Sequence, residues 1–384
     1  MHQSEPTIGV IIVAHNTAAL LLDCLRSLQT CTLPLRIVVV DNASTDESVA
    51  WVRSHFPNIE LYALHRNLGF AGGNNVGLRV LGFSDQQPVA CPASIPVSLE
   101  ADLVAETENQ QRGRHRRQSL SVGFERNIDV PSDDLLCAEC PPNQGDNAKP
   151  EFAALPSAVL LLNPDTIVQP GSIEALASFL QVHPRVGMAS PRLLNPDGSI
   201  QLAAFRFPTL TMSALEVFPP GEVFPGRLYN SWWHGRYPQE RREETHPFPI
   251  DHPLGACMLV RREVIEEAGL LDERYFMYSE EIDWCWRIRH CGWAIWQVPA
   301  AQVTHIGGAA TRQFRQRMQV ELYRSRITFF RQHYSRRFLQ AHRLLTGIGM
   351  VRAALLAWWD YQRGCIDQDE LRARLLAYGE ISRL

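Results

Sequence analysis

Lysine is all but missing from this chain: Lys149 is the only one in 384 residues, and arginine carries the positive charge. A triphosphate site built on a glycine- and lysine-rich loop after the first strand is excluded in its usual form, since that position reads His15, Asn16, Thr17, Ala18. The net charge of -4 is too small to call for nucleic acid as a partner. No apolar run reaches the roughly 20 residues that a membrane-spanning helix needs. Residues 1–7 are polar and lead straight into a strand-like segment, so no secretory leader is expected. Nine scattered cysteines, an odd number, fit no disulfide framework and suggest a reducing, cytoplasmic setting. Cys137 and Cys140 form one CxxC, half of a zinc site that lacks a second half nearby. What is present, 45% hydrophobic and 20% charged residues, is ordinary globular composition, enough for one large domain with additions.

Residues 8–14 form a continuous β-branched apolar run, the mark of a strand buried on both faces. Leu20, Leu21, Cys24, Leu25 and Leu28 then recur at helical spacing. Residues 35–40 and 59–64 read as further strands, and Ser44, Thr45, Asp46, Glu47 as a capping box opening the helix between them. This alternation predicts an α/β fold with a mostly parallel, Rossmann-like sheet flanked by helices. The pattern fails over 84–156, which is rich in Pro, Gln, Ser and Asp with a basic knot at 112–117, and reads as a disordered insertion. Order resumes with a strand at 158–162, a helix carrying Ile173, Leu176, Ala177 and Leu180 on one face, and a turn at 193–198. An irregular lobe over 218–253, a strand at 255–260 and a short helix at 262–268 follow. Residues 312–343 are helical in pattern and basic, with Glu321 the sole acid, and 344–359 are largely apolar. That pair reads either as a membrane-surface anchor or as helices packed on the main domain. The expected organisation is 1–83, 84–156 as the insertion, 157–311, and 312–384 as C-terminal helices.

In open α/β sheets ligands bind beyond the carboxyl ends of strands. Three polar motifs fall at such ends: Ala14 to Asn16, Asp41 to Ser44, and Asn163 to Asp165. Residues 67–75, a Gly/Asn stretch holding Asn67, Gly69 and Asn74, read as an anion-binding loop ahead of a helix. It follows the third strand, so a nucleotide-sugar contact is preferred to a nicotinamide cofactor. Asp165 ends a hydrophobic strand and suits a hard divalent cation, whereas Asp197, followed by Gly198, reads as a plain turn. His305, at a strand end beside Gly307 and Gly308, is a metal ligand or a polar cap. Glu280, Glu281 and Asp283 lie among Tyr275, Phe276, Trp284 and Trp286. Desolvated carboxylates of this kind make general bases, but acids are equally at home in the first turn of a helix.

The order of these motifs resembles that of family 2 glycosyltransferases, rhamnosyltransferase-like branch. The residues that carry the resemblance are 13–16, 40–46, 67–75, 161–166, 255–262 and 276–283, spread from Ile8 to about Tyr334. It implies a GT-A fold that binds a nucleoside-diphosphate sugar and inverts its anomeric centre in a single transfer. By position, Glu281 would be the base, with Glu280 in reserve and Asp283 orienting the site. The implied donor contacts are Ala14, Asn16, Asp41, Asn42, Asn67, Gly69, Asn74 and Asn163. Mg2+ or Mn2+ would sit on Asp165 and His305, although Asn163 replaces the first carboxylate of the wider family's Asp-x-Asp. The implied donor is dTDP-L-rhamnose, with UDP-galactofuranose and other UDP-hexoses as rivals, and the implied acceptor a cell-surface or lipid-linked glycan, used at the inner face of the plasma membrane. A non-catalytic nucleotide-sugar-binding protein and a nucleotidyltransferase are the alternatives.

Overall fold

The computed structural model describes residues 7–84, 155–218, 233, 235, 243, 245–307 and 315–384. The first three strands, β1 (Ile8–Ala14), β2 (Leu35–Asp41) and β3 (Glu60–Ala63), lie parallel, with Ala14 level with Asp41 and Asp41 level with Ala63. β4 (Ala158–Leu162) joins the opposite edge of β1, also parallel. The chain therefore changes direction between β1 and β4, and the carboxyl ends there form the crevice where such sheets bind ligands. The sheet then continues with reversed strands. β10 (Cys257–Arg261) runs antiparallel to β4 and to β6 (Val186–Leu194). β11 (Ala294–His305) pairs with β6 in parallel and with β5 (Thr166–Val168) and β8 (Phe248–Pro249) antiparallel. β7 (Ala204–Phe205) and β9 (His252–Pro253) form a separate ribbon.

The long apolar strands are explained by burial on two sides. Ile8, Val10, Ile12 and Ala14 of β1 enter one core cluster and Ile11 the other. The first cluster takes Leu21, Cys24, Leu25 and Leu28 of α1 (Ala18–Leu28) and Ile173, Leu176 and Leu180 of α4 (Ser172–Val182). The second takes Val76 and Leu78 of α3 (Gly69–Val80) and Trp284, Cys285 and Ile288 of α7 (Glu280–His290). α3 can lie close on β1 because its glycines face the strand: a Cβ on Gly73 would meet Val13 at 2.6 Å and one on Gly77 would meet Ile11 at 2.5 Å.

Several local expectations are corrected. The stretch 67–75 is not a loop before a helix, since α3 already begins at Gly69. The capping box at 44–47 does not form: α2 (Ser48–His55) starts later, and Asp46 accepts from the Ser48 amide and hydroxyl and from the Ala18 amide. The helical tail divides at Tyr334 and Ser335, not at residue 343. The Ser335 hydroxyl accepts from the Phe338 amide, separating α8 (Arg315–His333) from α9 (Arg336–Gln362). A further helix, α10 (Gln368–Ile381), lies within the 312–384 stretch of C-terminal helices. Short helices α5 (Leu210–Val217) and α6 (Arg262–Ala268) complete the described set. Cys24, Cys31, Cys257, Cys285 and Cys365 are free thiols. The expected insertion, with the CxxC pair and the basic knot, falls almost wholly outside the described residues. Its two ends are neighbours, because Gly82 lies against the Leu155 side chain.

Candidate active site

The loops at the carboxyl edge of the sheet are tied to one another by their backbones. The Asn42 amide donates to the Ala14 carbonyl at 2.7 Å, and the Phe70 amide to the Phe276 carbonyl at 2.9 Å. The Asn163 amide donates to the Ala256 carbonyl, also at 2.9 Å. Among the described residues, the non-glycine positions with left-handed φ are Asn16, Ala43, Tyr278 and Ser279, and all four lie in these loops. Strain of this kind costs roughly 1–3 kcal/mol per residue and persists where the surroundings enforce it, commonly at functional sites.

Most of the candidate donor contacts are engaged inside the protein. The Asn42 side chain donates to the Gly69 carbonyl and accepts from the Leu68 amide, so it braces the loop that precedes α3. Asn67 accepts from the Gly69 amide, and Asn16 from the Thr45 amide. Asn74 is buried within α3 and donates to the Phe70 carbonyl. Asp41 differs. Its Oδ2 accepts from the Ser44 amide, whereas Oδ1 is buried without a partner, and burial raises the carboxyl pKa. An unsatisfied buried oxygen costs roughly 1–3 kcal/mol, which a ligand donor can recover. Gly69 has a role unlike the anion contact expected of it. Its φ is +75°, and a Cβ there would run into the Phe276 carbonyl, so only glycine lets this turn touch the segment ahead of α7.

β4 and β11 bring Asp165 and His305 together: Asp165 Oδ1 lies 3.4 Å from His305 Nε2, and both residues are buried. His305 Nδ1 lies 2.8 Å from Gln201 Oε1, an oxygen that can only accept. With Nδ1 turned to Gln201, Nε2 faces the Asp165 carboxylate. One carboxylate oxygen with one imidazole nitrogen would suit Mg2+ or, better, Mn2+. No cluster of three or more His, Cys, Asp or Glu occurs among the described residues, so further ligands to such a cation would come from substrate and water. Asp197 is an ordinary turn residue, its Oδ1 accepting from the Ser199 amide and hydroxyl. Replacing Gln201 with Ala is expected to weaken Mn2+ binding about tenfold, measured as free Mn2+ by electron paramagnetic resonance. Unchanged affinity would remove Gln201 from the site.

The three carboxylates of α7 have separate environments. Glu281 lies beside Gly255, its Cγ 3.6 Å from where a Cβ on that glycine would stand, and so next to the Ala256–Asn163 contact that leads to Asp165. Burial pushes its pKa up to about 7, against the lowering effect of backbone amides in the first turn. Glu280 points inward with Oε2 unpartnered, and burial, then the charge of Glu281, raises its pKa well above the usual carboxylate range. Asp283 is only 1% exposed and is enclosed by partners: Arg287 Nε at 2.8 Å and His333 Nε2 at 2.6 Å. Asp283 thereby ties α7 to α8. A second anchor is the Ser325 hydroxyl, which donates to the Met277 carbonyl at 2.8 Å. His333→Ala should lower folding stability by about 1–3 kcal/mol, read from urea denaturation; a change under a few tenths would deny the anchor.

Gln201, Ser325 and His333 escaped the sequence reading because each works across a separation of 48 to 104 residues. No local pattern marks such partners.

Two family models match the sequence: "Glycosyl transferase family 2" over residues 9–81 and "Glycosyltransferase like family 2" over residues 142–324. An N-acetylglucosaminyl-diphospho-decaprenol L-rhamnosyltransferase of Mycobacterium tuberculosis is 37% identical over 147 residues, 38% of this chain and 46% of that protein. The low-salt glycan biosynthesis hexosyltransferase Agl10 of Haloferax volcanii is 30% identical over 171 residues, 44% of this chain and 49% of that protein. The chain thus spans about half the length of the curated relatives it matches. Among solved structures, GalNAc-T7 with UDP, GalNAc and Mn2+ aligns at a TM-score of 0.46 and 15% identity, covering 84% of this chain and 48% of that one.

Proposed function

The chain belongs to glycosyltransferase family 2, and from that membership we propose that it transfers a sugar from a nucleoside diphosphate with inversion, using Glu281 as general base. The observation that carries this reading is the place of Glu281 in the first turn of α7, against Gly255 and so next to the Ala256–Asn163 contact, where burial pushes its pKa up to about 7. Glu281 takes the proton from an acceptor hydroxyl as that oxygen attacks the anomeric carbon from the side opposite the leaving diphosphate. The bond to the diphosphate breaks as the new glycosidic bond forms, so no covalent enzyme intermediate is needed. Asp165 and His305 would hold Mg2+ or Mn2+, which supplies positive charge to the departing phosphates. Asp41 Oδ1 accepts from the nucleotide, and Gly69 keeps the donor turn in contact with the Phe276 segment. Glu280 is turned inward, its Oε2 buried and unpartnered, which favours Glu281 over it as the base.

For the donor we favour dTDP-L-rhamnose and for the acceptor a lipid-linked glycan, because the M. tuberculosis relative is named for an L-rhamnosyl transfer to a diphospho-decaprenol-linked sugar. The name of the H. volcanii relative specifies only a hexosyl transfer, and so supports the reaction class more than the sugar. A panel of nucleotide sugars tested with Mn2+ for thermal stabilisation of the protein decides the donor. Stabilisation by dTDP-rhamnose above the UDP- and GDP-sugars supports the reading, and a preference for another sugar replaces it. Donor binding without transfer to any acceptor would favour a sugar-nucleotide-binding protein instead.

A further inference from the structure

The helix α9 is apolar on two opposite faces, and only one of them is covered. His342, Thr346, Met350 and Ala357 are buried, with His342 hydrogen-bonded to Ser213 of α5 and Gly349 packed on Val217. On the other side Leu344, Ile348, Val351, Leu355, Trp358 and Trp359 recur every three or four residues, and all are exposed, Val351 by 62% and Leu355 by 60%. Single exposed apolar side chains are ordinary, but a continuous stripe four turns long marks a contact surface.

The charges around the stripe identify what covers it. α9 carries Arg336, Arg337, Arg343 and Arg352 against a single acid, Asp360. That acid is turned away from the stripe, towards Arg374 of α10 at 3.9 Å. Arg337 and Arg352 are exposed and lie in register with the apolar residues or one step from them. At the far end Arg363 lies over the Trp359 ring at 5.0 Å. A second copy of the helix would meet these arginines with its own and bring no acid to pair with them. An apolar strip with arginines at its edge and two tryptophans at one end instead matches a bilayer rich in anionic lipid, with the acyl boundary taking the strip and the phosphates taking the guanidinium groups. No helix among the described residues is long and apolar enough to cross a membrane, so α9 would lie along the surface.

We propose that the outer face of α9, from Leu344 to Trp359, docks the protein flat on an anionic membrane surface. The surface stands apart from the transfer reaction, and its test needs neither donor nor acceptor. The protein is sedimented with vesicles of equal parts phosphatidylglycerol and phosphatidylcholine, and with phosphatidylcholine alone. Wild type should bind the anionic vesicles at least tenfold better than the neutral ones. The Val351→Glu, Leu355→Glu double variant, changed only at exposed positions, should lose that binding while keeping its circular dichroism spectrum. If the double variant unfolds, quenching of tryptophan fluorescence by brominated anionic lipid carries the same test, expected in wild type and reduced in Trp358→Leu, Trp359→Leu. The proposal is overturned if wild type ignores anionic vesicles, if the double variant binds them equally well, or if wild type sediments as a dimer that the double variant abolishes.

Discussion

Glu281→Gln should reduce sugar transfer about 10³-fold and leave donor affinity unchanged, the loss expected when a general base is removed without altering shape. In the unaltered enzyme, kcat should rise with unit slope as pH increases and level off above about 7, where burial has placed the carboxyl. The same shift affects stability with a definite sign. An acid whose folded-state pKa lies above its ordinary 4.5 holds its proton more tightly when folded, so its contribution is full below about 4.5 and is lost as pH rises to about 7. Above pH 7 the ionised, partly buried Glu281 therefore weighs against the fold. The glutamine variant should be more stable than wild type at pH 8 by about 2 kcal/mol, and the gap should close by pH 4.5. Urea titrations at both pH values measure it. A variant that is inactive but no more stable at pH 8 would mean that the carboxylate is well solvated, and a variant with near wild-type transfer would remove Glu281 from the mechanism.

Asp165→Ala should abolish the Mn2+-dependent part of donor binding, a loss of about 100-fold or more given the several kcal/mol that metal–phosphate contact supplies. Calorimetry with and without Mn2+ separates the two contributions. Wild type should show a large difference between the conditions and the variant almost none, while the metal-free affinity should be the same in both. Equal metal dependence in wild type and variant would place the cation elsewhere. Asp197→Ala serves as the control, since its carboxylate only closes a turn.

The parts of this protein that could be read from sequence are those in which one segment's pattern reports its own surroundings. The β-branched run of β1 specified a strand covered on both faces, and both core clusters meet there. The NPD motif at the end of β4 set Asp165 apart from its near-copy at Asp197 for a similar reason: a buried strand precedes one, and Gly198, with φ of +82°, closes the other as a turn. Functional side chains engaged at long range were not readable. Asn42, Asn67 and Asn74 looked like ligand contacts because asparagine at a strand end or in a glycine-rich stretch can face solvent or backbone equally well, and here the backbone took them. The glycines of 67–75 pointed to phosphate, whereas Gly73 lies against Val13 of β1 and Gly69 makes room for a carbonyl. The tie from Asp283 to His333, fifty residues away, had no local sign in the sequence.

The hold of α8 on the segment that leads into α7 bears on how these proteins can be recombined. Ser325 and His333 grip Met277 and Asp283 from beyond the last strand of the sheet, so the entry to α7 is completed by sequence that looks like a tail. A chimera that joins this sheet to the C-terminal helices of another family member should therefore fail unless the graft point lies after residue 334, or the incoming helix brings a hydroxyl and an imidazole at the same two heights. α9 and α10 are tied in as well, by Met350, Ala377 and Ile381 clustered with Val320 and Tyr323 of α8 and by His342 bonded to Ser213 of α5, so any exchange has to carry those contacts with it.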